Sequence, residues 1–314
     1  MGTFLAVVNA PPGSPSRAAV LTVSSNKGGV GKTTLAANLA IYLQALREDV
    51  PVLVFGLDDQ NVLDRMFRLR PPLAGEGNLK HGWAERNLAR VIQLGEYGIH
   101  YVPAPPDVAL LKTRAQDPQT LRAILQRTGW KGLVIIDTKS DLEALTLNAL
   151  HAADRIIIPV ADWASLEEAA KSFALLERAN LDSRRARVLL TLVDRRSREA
   201  GGGKQLFVRL LDEVRRQGWP FYKTYLSRSP RVEMLNSGTG KPLSILHHGR
   251  GTRIHAQLHE LAMEVIQDVG FATRAPAPRA STAERVRSEP ALESSLRTAL
   301  GSFAMDVLES WRRS

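Results

Sequence analysis

KGGVGKTT, residues 27–34, is the stretch on which the fold turns. Gly28, Gly29 and Gly31 let the backbone turn its N–H groups inward on an anion. Lys32, Thr33 and Thr34 follow where a helical pattern begins, over residues 33–46. Upstream, AVLTVS at residues 19–24 is an apolar, β-branched run that reads as a buried strand. Strand, glycine loop and helix together are the context a phosphate loop requires. The helix dipole adds to the pull of the loop amides on phosphate. Lys32 can reach β- and γ-phosphates, and the Thr33 hydroxyl can ligate Mg²⁺. The expected ligand is ATP with Mg²⁺, cradled by Lys27, Gly28, Gly29, Val30, Gly31, Lys32, Thr33 and Thr34. The competing reading, a glycine-rich turn with no ligand, leaves the Gly-Lys-Thr ending and its flanks unexplained.

Outward from the loop, apolar runs alternate with helical patterns. Residues 50–55 (VPVLVF), 99–102, 133–136, 155–160 and 188–193 read as strands. Residues 118–127 and 166–179 read as helices, and the Pro/Gly-rich residues 71–87 as a surface loop. Such alternation predicts an α/β fold, a doubly wound and mostly parallel sheet with helices on both faces. Four segments are expected: a flexible lead-in at 1–17, an ATPase domain at 18–271, a linker at 272–290 and a C-terminal amphipathic helix at 291–314. The linker is rich in Ala, Pro, Arg and Ser. In the last segment Leu292, Leu296, Leu300, Phe303, Val307, Leu308 and Trp311 recur at helical spacing.

The 314 residues carry a net charge of +10 and no cysteine. Disulfides, thiolate catalysis and cysteine-ligated zinc are excluded. No apolar run is long enough for a membrane span, and the apolar N-terminus lacks a basic flank, so a cytoplasmic location is expected. Residues 178–253 hold 17 Lys and Arg against 6 Asp and Glu, which accounts for essentially all the net charge. Clustered cations predict binding to a phosphate backbone, and without a base-reading motif the binding should be nonspecific for DNA sequence. A solvated basic face is the plainer alternative.

Lys27 stands five residues before Lys32. With the rest of KGGVGKTT it makes a string that resembles the deviant Walker A motif of the ParA/MinD group of ATPases. GLDDQN (residues 56–61) looks like that family's DLDPQ switch, and LVIIDTKSD (133–141) like its Walker B strand. The segments at 146–160 and 240–246 extend the likeness, which covers roughly residues 19–268, and it implies that 240–246, after RSPRVE at 228–233, closes the adenine pocket. The resemblance implies catalytic roles for Lys27, Lys32, Asp58 and Asp137. Lys27 would cross a nucleotide-sandwich dimer to the partner's phosphates. Asp58 would orient the attacking water near the metal, and Asp137 would hold Mg²⁺ through a water. Read from its position alone, Asp58 could instead be a helix cap or turn aspartate. Asp194 is a candidate for the adenine pocket.

The likeness also implies a slow ATPase that dimerises with ATP, binds nonspecific DNA, associates with the nucleoid and is stimulated by a ParB-like or analogous protein. Gly56 and Asp59 depart from the switch motif, and Lys139 and Ser140 replace the family's Pro-Pro. These changes bear on hydrolysis and its trigger more than on binding. MinD-like members end in a membrane-inserting helix with a basic face. Here Arg297, Arg312 and Arg313 are balanced by Glu293, Asp306 and Glu309, which makes membrane binding the less favoured reading.

Overall fold

The computed structural model describes residues 17–58, 61–194, 206–237 and 241–271. The tail helix expected at 291–314 and the linker before it lie outside the described residues, as does the lead-in except Arg17. The chain begins with β1 (Ala19–Val23), α1 (Lys32–Leu46), β2 (Val52–Gly56), α2 (Val62–Phe67) and α3 (Leu79–Ala84). It continues through β3 (Gln93–Leu94), β4 (His100–Tyr101), α4 (Ala109–Lys112), α5 (Thr120–Thr128) and β5 (Leu133–Asp137). Then come α6 (Ala144–Ala152), β6 (Arg155–Val160), α7 (Trp163–Arg178) and β7 (Ala186–Leu190). The described helices α8 (Leu206–Arg216), α9 (Pro230–Ser237), α10 (Ile245–His248) and α11 (Arg253–Asp268) complete the order.

The strands form one sheet in the order β3-β4-β2-β5-β1-β6-β7, parallel except for the β3–β4 pair. Alternate residues feed opposite layers, as the pleat requires. Val52 and Val54 of β2 join the core beneath α1 and α11, while Leu53 and Phe55 pack with α3 and α5. In β5, Leu133 and Ile135 face the first layer, and Val134 and Ile136 the second. Both faces are covered, which is why the strand sequences are nearly unbroken apolar runs. The expected doubly wound architecture is the one observed.

Two details differ from the sequence reading. The 71–87 segment is not all loop. It contains α3, because Leu79 and Trp83 are buried and Asn78 with His81 forms a capping box. The strand expected at 188–193 ends at Leu190, and Leu192 takes a left-handed conformation with φ of 52°.

Candidate functional site

The site lies at the carboxyl ends of the central strands. The phosphate loop leaves β1, Asp58 follows β2, and Asp137 ends β5, which is hydrogen-bonded between them. In the parallel register Val23 and Gly56 both stand beside Asp137. A bond from the Leu57 N–H to the Asp137 carbonyl, 2.8 Å, ties the two strand ends together. Within the loop Gly29 and Gly31 have φ of 77° and 87°, a conformation costly to other residues. Gly31 caps α1 without any side-chain acceptor, and the first turn of α1 holds no acidic residue. The helix amides and dipole are therefore left for an anion.

Lys32 is 6% exposed. Its ammonium donates to the Lys27 carbonyl at 3.0 Å and to Ser140 Oγ at 2.6 Å. Burial lowers its pKa, against the attraction of Asp137, Asp58 and Asp141. Asp137 is 1% exposed and its Oδ1 has no hydrogen-bond partner. Desolvation pushes its pKa up to about 7, although the Thr33 hydroxyl and the Lys32 charge act in the other direction. A buried carboxylate with an unsatisfied oxygen calls for a cation. Thr33, Asp58 and Asp137 line one small cleft with Gly56 and Asn61, so these residues fit Mg²⁺ beside bound phosphates. Gly56 leaves Asp137 without a second carboxylate in register.

A cavity of about 560 Å³ opens from the phosphate loop. Gly29, Gly31 and Thr34 form its phosphate end, and Leu192, Leu226 and Val232 give it apolar walls. Thr191 fixes the wall to the loop through a 3.1 Å bond to the Val30 carbonyl. This volume suits a nucleotide base and sugar. Asp194 is exposed and is not among the residues lining the cavity. Val232 falls within 228–233 and Ile245 within 240–246, the segments that the resemblance places at the adenine pocket, whereas Leu192 and Leu226 carried no signal in the sequence. Lys27 is one-third exposed at the mouth, 3.6 Å from Asp162, the residue that caps α7.

The basic residues of 178–253 are less free than their count implies. Asp182 pairs with Arg184, Asp268 with Arg187, Glu213 with Arg216, Glu233 with Arg228 and Glu96 with Lys241. Arg195, Arg196, Arg198 and Lys204 lie outside the described residues.

Residues 18–173 match the family described as AAA domain. The chain is 37% identical over 183 residues to the chromosome-partitioning ATPase Soj of Thermus thermophilus, covering 56% of this chain and 70% of that one. This chain belongs to the ParA/MinD family of P-loop ATPases. It is also 29% identical over 269 residues to the chromosome partitioning protein ParA of Caulobacter vibrioides, across 79% of this ParA-like chain and 93% of that relative. Two solved structures share the fold. An McdA variant from Cyanothece in complex with ATP aligns with a TM-score of 0.65 at 14% identity, over 83% of this chain and 100% of that one. The septum site-determining protein MinD of Pyrococcus horikoshii, complexed with Mg-ADP, aligns at 0.62 and 18% identity, over 81% and 98%. No described helix of this ParA/MinD member is long and apolar enough to cross a membrane.

Proposed function

We propose that this ParA-like ATPase is a nucleotide-timed switch that positions DNA or another large cargo. ATP would join two subunits, the dimer would hold DNA without sequence preference, and a ParB-like or analogous partner would stimulate hydrolysis and release it. The carrying observation is Lys27. It is not needed to complete the loop around its own nucleotide, since Lys32 already occupies the buried position. Its ammonium instead stands at the solvent-facing mouth against Asp162. That exposure supports the reading that Lys27 would reach phosphates presented by a second copy.

Within one subunit the geometry supports the following roles. The loop amides and Lys32 would bind the phosphates and offset their charge. Thr33 and Asp137 would hold Mg²⁺, with Asp58 nearby, and the metal would supply charge neutralisation at the β- and γ-oxygens. Asp58, half-buried in the same cleft, would orient the attacking water. The Leu192 and Val232 walls would hold adenine.

The DNA arm of the proposal is tested by binding of plain duplex DNA with ATP or ADP at low and moderate salt. Retention with ATP that falls steeply as salt rises supports it. Binding indifferent to nucleotide or to salt counts against it. An ATP dimer that ignores DNA would favour a MinD-like role on a membrane or protein scaffold.

A further inference from the structure

The sequence departs from its family at residues 139–140, and the structure gives Ser140 a specific place. Its Oγ accepts a 2.6 Å bond from the Lys32 ammonium. It also stands beside the phosphate loop, 3.9 Å from where a Cβ on Gly28 would lie. A hydroxyl oxygen that accepts from a cation must turn its own proton away from that cation. The Ser140 proton has no acceptor among the described residues. Ser140 thus keeps an uncommitted O–H donor beside the phosphate loop. Lys32 has three protons, two of them engaged by the Lys27 carbonyl and Ser140. The third remains for phosphate.

We propose that Ser140 is a specificity-determining residue that donates its hydroxyl proton to the terminal phosphate of ATP. A proline at this position, as in the family pattern, has no such donor. The contact would distinguish ATP from ADP, because only the triphosphate presents a third phosphate group at the switch side of the cradle. This inference rests on reading residues 27–34 as an ATP site.

The test is calorimetric titration of the full chain with Mg²⁺ and either ADP or the non-hydrolysable analogue AMPPNP. Wild type, Ser140→Ala and Ser140→Thr are compared, with melting curves to confirm folding. A hydrogen bond to a charged oxygen predicts that Ser140→Ala loses about tenfold or more in AMPPNP affinity. The ADP affinity should move by less than about twofold, since the lost contact is to the missing group. Ser140→Thr keeps the hydroxyl and should restore the preference. Equal losses for both nucleotides would reduce Ser140 to a support for Lys32 and overturn the proposal, as would no loss at all. Wild type that binds neither nucleotide would defeat the ATP-site reading itself.

Discussion

Removing the charge of Asp137 should stabilise the nucleotide-free protein while disabling it. The carboxyl is fully buried with one oxygen unsatisfied, and burial raises its pKa from 3.8 to about 7. A raised carboxyl pKa means that the folded state holds the proton more tightly than the unfolded state does. Its contribution to stability is therefore intact below pH 3.8 and is lost as pH rises toward 7. At ~1.4 kcal/mol per pH unit, the cost by pH 8 is on the order of 4 kcal/mol. The attraction of Lys32 is already included in that shift. Asp137→Asn keeps the shape and an acceptor for Thr33 but cannot ionise. Its advantage over wild type should grow by ~2–3 kcal/mol between pH 5 and pH 8. That corresponds to roughly 5–10 °C in Tm for a domain of this size. The assay is thermal unfolding at both pH values, in chelator and without nucleotide. An advantage that does not change with pH, or a variant less stable than wild type at pH 8, would refute the reasoning.

Other consequences are equally direct. If Lys27 serves the partner's phosphates as proposed, Lys27→Ala should leave binding of ATP to the monomer within about threefold but abolish ATP-dependent dimers; titration and sizing separate the two. Leu192→Asn should relieve a left-handed leucine and raise stability by up to ~1 kcal/mol in denaturant. The same change removes an apolar wall and should weaken nucleotide binding severalfold. Arg215→Glu with Lys223→Glu should lower DNA affinity uniformly across sequences and flatten the slope of affinity against salt by about two phosphate contacts.

The features legible in the sequence are those encoded by neighbours along the chain. Residues 27–34 declare themselves because turn, dipole and lysine are contiguous, and β5 because five buried residues end in Asp137. The rest depends on topology. Ser140 meets Lys32 across 108 positions, and Thr191 meets Val30 across 161. No periodicity announces either contact. α3 was hidden by its short length and the glycines around it, and α8 by a basic composition that draws attention to charge rather than to its buried face. Charge counting also overstated the free cations, because Asp268 and Glu96, which neutralise Arg187 and Lys241, lie outside the counted segment.

Light scattering during size exclusion shows whether ATP brings two copies of the chain together. Asp58→Ala, expected to bind ATP without hydrolysing it promptly, is run with ATP, with ADP and without nucleotide. Twice the 34.5 kDa chain mass is expected with ATP, together with co-elution of plain DNA, and the single mass in the other two runs. A single mass in all three runs, with ATP demonstrably bound, would contradict the ATP-dependent dimer.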